Sequence, residues 1–215
     1  MTSSISDQAQ LSEVQQHLVE PTVDGGTTFA SGLWTVTEVI NYFNQRQYRF
    51  LRDTQLLLTR TSLVTTPNVN RQPLPTNWIV TSRAAWQDIT NVFTEIPRGD
   101  TWEADHAILD WPYNGAQRPQ LWTDGETPTL QIELLPSPNV SGTVWLLYVA
   151  LSALLSNTGQ LFTVPDEFVP SIKWGAIADM LSKVGRAFDP VRAEYAESRY
   201  EEGVEAAKIM LAGWA

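Results

Sequence analysis

The apolar positions change their spacing along the chain, and the first clear pattern is helical. From Val36 to Leu51 apolar residues recur mostly every three or four positions, which predicts an amphipathic helix. Thr35 and Glu38 have the spacing of a capping box, in which a hydroxyl and a carboxylate satisfy free backbone N–H groups. We expect this helix to begin at Thr35 and to end near Thr54.

An alternating pattern of apolar and polar residues then predicts strands. Residues 55–64 are rich in apolar and β-branched side chains and form the first of them. Residues 65–77 carry three prolines and three asparagines and are expected to form a loop. Residues 83–89 fit either a strand or a helix. Further strands are predicted at residues 78–81, 106–110, 121–123, 129–135 and 143–151.

Two of these strands allow a more specific expectation. Asp124 and Gly125 favour a tight hairpin that joins residues 121–123 to residues 129–135. The strand at residues 143–151 is mostly apolar on both faces, which is typical of the centre of a sheet. The middle of the chain is therefore predicted to be antiparallel β structure.

Helical spacing returns in the last fifty residues. Residues 168–184 predict one helix, and Gly185 is suited to its C-terminal cap. Asp189 and Pro190 then have the residue types of an N-cap and a first helical position. The last helix is expected to end near Gly213.

The order of helix, β-rich middle and helical hairpin predicts an α+β protein with segregated elements. Residues 1–33 are expected to form an acidic N-terminal segment, extended or with a short amphipathic helix around residues 11–19. Residues 34–64 and 152–215 are expected to form a helical bundle with a flanking strand. Residues 65–151 would be a β-rich unit inserted between the helices.

Composition excludes several classes of chemistry. The 215 residues carry a formal net charge of −10, no cysteine and only two histidines, His17 and His106. Disulfides and thiolate metal sites are therefore absent, and two histidines leave little scope for imidazole metal sites or histidine acid–base catalysis. The negative charge argues against a protein that coats nucleic acid. Neither a signal peptide nor a membrane span is predicted, because the longest apolar run, residues 144–155, is shorter than the roughly 20 residues required.

A cluster of carboxylates around His106 is the first candidate site, with Asp100, Glu103, Asp105 and Asp110. Such a group can bind a hard cation or act in acid–base catalysis. Its spacing does not match an EF-hand loop, and no nucleotide-binding glycine motif or serine nucleophile motif occurs. We favour a solvated strand flank, with a hydrolase using Asp105 and Asp110 as the least favoured alternative.

The chain has nine tryptophans, an unusually high number, and they give two alternatives. They could form a platform that stacks on sugars, or they could pack the β unit and an interface between subunits. We favour packing, because the polar groups that accompany a sugar platform are not identifiable. The candidates for such a platform are Trp78, Trp86, Trp102, Trp111 and Trp122.

Three arginines, Arg46, Arg49 and Arg52, lie on one side of the first long helix. They could bind phosphate. In a protein of net charge −10 we favour salt links between subunits, with the acidic last helix that carries Glu197 and Glu201 as the partner.

Several segments together resemble the head–tail adaptor (connector) proteins of tailed bacteriophages. The likeness covers roughly residues 33–210, and residues 1–32 lie outside it. In the C-terminal helices the pattern consists of TVPDEF at 163–168, KWGAIADMLSK at 173–183, FDPVRAEY at 188–195 and RYEEG at 199–203. Earlier segments that fit it are WTVTEVINYFNQR at 34–46, FLRDT at 50–54, LPTNW at 74–78 and LLPSP at 134–138.

This resemblance implies a structural virion protein that is not an enzyme and needs no cofactor. Such adaptors form rings, typically of twelve copies, below the portal at the head–tail junction. The ring extends the DNA channel without specific DNA binding and provides the platform for the tail. The implied partners are further copies of the chain, the portal protein and a downstream tail or neck protein, with no membrane and with assembly in the host cytoplasm.

In related adaptors the C-terminal segment commonly docks on the portal. For this chain the resemblance assigns that role to Ile209, Met210, Leu211 and Trp214, although these residues could instead cap the helical bundle of their own chain. Two other functional classes stay open. One is another neck or tail component, such as a stopper or tail completion protein, and the other is a carbohydrate-binding module built on the tryptophans.

Overall fold

The computed structural model describes residues 3–19, 22–23, 28–108, 117–124 and 130–212, and it confirms the α+β class. The helices defined in these ranges are α1 (Asp7–His17), α2 (Val36–Thr54), α3 (Thr101–Ala107), α4 (Val169–Ser182) and α5 (Pro190–Ala212). The strands are β1 (Thr22–Val23), β2 (Thr28–Phe29), β3 (Leu58–Thr65), β4 (Arg71–Pro73), β5 (Trp78–Gln87), β6 (Phe93–Ile96), β7 (Leu121–Thr123), β8 (Gln131–Leu135) and β9 (Gly142–Ala150).

The chain divides into two compact units. The helical unit consists of the described residues in Met1–Leu57 and Leu151–Ala215, and the β unit is Leu58–Ala150. The predicted β unit, residues 65–151, differs from this one at residues 58–64 and at Leu151. Residues 58–64 belong to β3, which is paired along its whole length with β9 of the β unit.

In the helical unit, α2 begins as the sequence predicts. The Glu38 amide donates to Thr35 Oγ1 at 3.2 Å, and the Thr35 amide donates to Glu38 Oε2 at 2.9 Å, which completes the capping box. The helix ends at Thr54, where Gln55 has a left-handed backbone with φ of 54°. Both ends of α2 are therefore fixed by local chemistry.

The three long helices α2, α4 and α5 pack around one apolar core, and α1 lies against α2 and α4. The largest core side chains include Phe43, Phe50, Phe162 and Tyr200, each at most 1% exposed. The start of α1 is fastened by the buried carboxylate of Asp7. It accepts hydrogen bonds from the backbone amides of residues 157 and 159 at 2.7 and 3.0 Å.

The connection between α4 and α5 differs in one detail from the prediction. α4 is capped at Lys183 in an extended conformation, and Gly185 lies beyond it with φ of 147°. Gly185 thus supplies a backbone conformation that other residues rarely adopt, within the connection and not at the helix cap. The predicted N-cap of α5 is confirmed, because Asp189 Oδ1 accepts from the Arg192 amide at 3.1 Å.

The β unit contains two antiparallel sheets, with strand orders β3–β9–β5–β6 and β4–β8–β7. β9 lies inside the first sheet, which confirms the central position predicted for residues 143–151. β7 pairs with β8, as the predicted hairpin requires. The loop predicted at residues 65–77 contains a short strand, β4, because its backbone pairs with β8.

Two predictions in this region need correction. Residues 78–81 form a strand as predicted and residues 83–87 take the strand alternative, but they are not separate elements, because β5 runs unbroken from Trp78 to Gln87 and absorbs two register shifts against β9. The strand expected at residues 106–110 is not formed in its described part, because His106 and Ala107 end α3 and residues 109–110 lie outside the described residues. Asp100 accepts from the Glu103 amide at 2.6 Å and starts this helix.

Candidate assembly surfaces

A buried cation joins the three long helices of the helical unit. The Arg46 side chain on α2 is 8% exposed. Its Nε and Nη2 atoms donate to the two carboxylate oxygens of Asp179 on α4, at 2.7 and 2.6 Å. Its Nη1 atom donates to Glu197 on α5 at 2.8 Å. This bidentate bond and the third contact fix the relative positions of α2, α4 and α5.

The charge of Arg46 is retained although the side chain is buried. Burial opposes the charged form, but hydrogen bonds to Asp179 and Glu197 outweigh it and raise the pKa of the guanidinium. The ring of Tyr200 completes the cluster, with its centroid 4.9 Å from Arg46 Cζ and 5.5 Å from Arg49 Cζ. Because Asp179, Glu197 and Tyr200 surround it, Arg46 is not available to a ligand.

The Tyr200 hydroxyl is buried and has no hydrogen-bond partner among the described residues. Burial raises the pKa of Tyr200 to about 12. We expect Tyr200→Phe to raise the free energy of unfolding by about 1 kcal/mol, because it removes an unsatisfied polar atom and keeps the ring beside the arginines. Urea unfolding at neutral pH measures this change.

A pH series supplies the control for this prediction. The pKa of Tyr200 is raised above its ordinary value of 10.0, so the unfolded chain loses the proton first as the pH rises. The contribution of Tyr200 to the free energy of unfolding should therefore be constant below about pH 10 and fall between about pH 10 and 12. Tyr200→Phe should fall less in this window, and an equal fall in both proteins would contradict the assignment.

The residues predicted to lie between subunits have different surroundings in the structure. Arg46 and Glu197 bind each other within one chain. Arg49 is 45% exposed and lies 3.3 Å from Glu197, and Arg52 is 53% exposed and pairs with Asp53 at 2.8 Å. Glu201 is exposed on α5. Asp179 is not predictable as a partner of Arg46 from the sequence, where it is one carboxylate in an otherwise apolar part of α4.

The residues predicted to dock on the portal lie at the end of α5. Ile209 and Met210 are 71% and 54% exposed, and Leu211 is partly buried. Trp214 lies outside the described residues. Ile209 and Met210 do not belong to the core of the helical unit, which distinguishes them from Val204 and Ala207, two to six residues earlier in the same helix.

The tryptophans of the β unit do not form a shared platform among the described residues. Trp86 and Trp122 are each 1% exposed, and the indole of Trp122 donates to the Ile96 carbonyl at 3.0 Å. The favoured packing role is confirmed for these two rings. Trp102 differs, because it is 71% exposed on α3, and Trp111 lies outside the described residues.

Of the carboxylates predicted to cluster around His106, Asp100 is the N-cap of α3, and Glu103 and Asp105 lie in that helix. The His106 ring lies 4.6 Å from the Trp102 ring. Asp110 lies outside the described residues. Within the described ranges no group of three or more His, Asp or Glu side chains is placed to hold a metal ion. No described helix has both the length and the apolar character needed to cross a bilayer.

Comparison with known proteins agrees with the predicted resemblance to phage head–tail adaptors. No curated protein matches the chain. Among solved structures, a chain from the "Neck of empty GTA particle computed with C6 symmetry" is similar at 16% identity over 93% of both chains, with a TM-score of 0.30. The family model of the SU10 adaptor protein matches residues 9–212. Because this match spans nearly the whole sequence, the chain belongs to the SU10 adaptor protein family.

Proposed function

We propose that this adaptor protein is a structural component of the virion head–tail junction. It forms a ring below the portal, extends the DNA channel and provides the platform for the next tail or neck protein. The family match over residues 9–212 is the observation that carries this proposal. Twelve copies would match the resemblance, and assembly would take place in the host cytoplasm.

The charge of the chain supports a channel role. Because the net charge is −10, the protein as a whole does not attract the negatively charged phosphates of DNA. DNA that passes through the ring is therefore expected to slide without specific binding. On α2, Arg46 is buried and already bound to two carboxylates, so it does not add to a phosphate-binding surface.

Part of the predicted subunit interface is retained in this proposal. Arg49, Arg52 and Glu201 have exposed side chains and would contribute salt links to neighbouring subunits. Arg46 and Glu197 would act inside each subunit, where they hold the three long helices together. Exposed ion pairs contribute about 0–1 kcal/mol each, so buried apolar contacts must supply most of the ring's stability.

The end of α5 is proposed as the portal contact, through Ile209, Met210, Leu211 and Trp214. Exposed apolar side chains that do not join the subunit core are typical anchors of a protein interface. A chain truncated after Lys208 should therefore bind purified portal of the same virus at least about tenfold more weakly, a loss of about 1.4 kcal/mol or more. Surface plasmon resonance on immobilised portal rings measures this.

Two controls show whether the lost binding is local. The full-length variant with Ile209→Ser and Met210→Ser should lose binding like the truncation, and Leu154→Ser, at a site 74% exposed elsewhere in the helical unit, should not. Undiminished binding after truncation would contradict the docking role. Electron microscopy of the virion neck tests the larger proposal, since a chain located away from the portal would be a stopper or tail completion protein.

A further inference from the structure

One face of the four-stranded sheet in the β unit is open. Along β9, Val144 and Leu146 are fully buried on one side, whereas Trp145 and Leu147 are only partly buried on the other. Side chains alternate between faces in a strand, so Trp145 and Leu147 share the second face with Val149, which is fully buried near the end of the strand. Around Trp145 and Leu147, the described residues pack no apolar layer over this face comparable to the one on the first. Trp145 therefore lies on a surface that a partner can reach.

This open face contains a concavity of about 470 Å³, here called the sheet groove. The small side chain of Ala85 leaves room beside Trp145, its partner across the strands. Phe93 lies at the edge, with its ring 6.3 Å from that of Trp145. The sheet groove is lined by Arg60, Arg83, Ala84, Ala85, Phe93, Glu95, Trp145, Leu146 and Leu147.

The sheet groove is cationic although the protein is acidic. Arg60 on β3 and Arg83 on β5 lie on either side of Leu147, about 10 Å apart at two strand spacings. Arg83 pairs with Glu95 at 2.8 Å, whereas no ion pair to Arg60 occurs in the part of the chain that the structure describes. An occupant with an apolar anchor and a carboxylate would complement this surface.

The chain presents such an anchor on α3. Ala104 and Ile108 pack with Leu121 and Leu135, and Trp102 lies away from this cluster, 71% exposed. The His106 ring lies 4.6 Å from it, tilted by 47°, and the exposed carboxylates Glu103 and Asp105 follow it in the helix. An exposed tryptophan followed by carboxylates therefore offers an apolar anchor for the aromatic lining of the sheet groove and a negative charge for Arg60.

We propose that Trp102 of one copy inserts into the sheet groove of the next copy. The indole would stack on Trp145 and Phe93 above Ala85, and Glu103 would face Arg60. Tryptophan and arginine are the residues most often found at the energetic centre of an interface. The anchor and the groove are different surfaces of one subunit, so the contact is head-to-tail and closes into a ring when its rotation allows. The inference rests on the proposed ring and names the surfaces that build it.

Photo-crosslinking tests the contact directly. The full chain with Trp102→p-benzoylphenylalanine is prepared in normal and ¹⁵N-labelled forms, mixed, assembled on portal rings and irradiated. We expect mixed-isotope crosslinks from residue 102 to the peptides that contain Ala85 and Trp145. The same probe at Leu154, which is 74% exposed, is the control and should give none to these peptides. Crosslinks that join only residues of the same copy, or none to the groove, would overturn the inference.

Substitutions on the two surfaces give a second test. Trp102→Ala removes the anchor and Ala85→Trp fills the groove, and each should lower the fraction of copies in rings at least fivefold. Arg60→Glu should do the same, and adding Glu103→Arg to it should restore at least half of the rings. Urea unfolding confirms that each variant folds. Rings that form normally with both Trp102→Ala and Ala85→Trp would contradict the contact.

These outcomes separate the inference from the proposed function. Rings on the portal without groove crosslinks would leave the adaptor role intact and remove this contact. Groove crosslinks between copies of the full chain that bind no portal would keep the contact and remove the portal role. Neither crosslinks nor rings, with portal present or absent, would overturn both.

Discussion

Replacing Arg46 by methionine is expected to lower the free energy of unfolding by about 3 kcal/mol. Methionine keeps the apolar stem but leaves Asp179 and Glu197 without their shared cation. Loss of one partner of a buried ion pair typically costs about 3–5 kcal/mol. The lower value applies here, because the two carboxylates are 27% and 29% exposed and water can solvate them in part. Urea unfolding followed by circular dichroism measures the change.

The neighbouring arginine provides the matched control. Arg49 lies on the same helix and contacts the same Glu197, but its side chain is 45% exposed. Arg49→Met should therefore change stability by no more than about 1 kcal/mol. Arg46→Lys should lower the free energy of unfolding by more than half as much as Arg46→Met, because an ammonium cannot make the bidentate bond to Asp179. Equal losses for Arg46→Met and Arg49→Met would show that burial does not govern this cluster.

The sequence was sufficient where the determining interaction is local. Thr35 and Glu38 are three residues apart and form the predicted capping box, and Asp189 caps α5 through an amide three residues later. The central position of β9 could also be predicted, since a strand that is mostly apolar on both faces is typical of the interior of a sheet. In each case the pattern within one segment carries the information.

The sequence was not sufficient where the partners are distant in the chain. Asp179 meets Arg46 across 133 positions, and no spacing rule connects two such residues. The sheet groove combines residues of β3, β5, β6 and β9, so its shape depends on the order of strands in the sheet. The error at residues 106–110 has another origin. There the local signal is the N-cap at Asp100, which lies outside the five residues of the predicted strand.

Substitution of Gly203 by alanine is expected to lower the free energy of unfolding by about 3 kcal/mol, at the upper end of the effects of overpacking. A Cβ atom at this position on α5 would lie 1.8 Å from Ser171 Oγ and 2.5 Å from Ser171 Cβ on α4. Alanine favours helix by roughly 1 kcal/mol over glycine, so the clash must exceed that gain. The two helices would have to separate locally at this position.

The double variant Gly203→Ala with Ser171→Gly tests whether the clash is the cause. Without the serine side chain, the nearest atom of residue 171 to the new Cβ is its Cα at 3.8 Å, an ordinary contact. We expect the double variant to recover about 2 kcal/mol relative to Gly203→Ala, and Ser198→Ala on the exposed side of α5 to change stability by less than about 0.5 kcal/mol. No recovery in the double variant would contradict the steric explanation.

Gly203→Ala should also be non-additive with Arg46→Met. Both act on the approach of α5 to its neighbours, since Glu197 lies about one and a half turns before Gly203 on α5. If α5 moves away from α4 in Gly203→Ala, the Arg46 bond to Glu197 is weakened before Arg46 is replaced. The combined loss should then be smaller than the sum by about 0.5–1 kcal/mol, and a double-mutant cycle measures that difference.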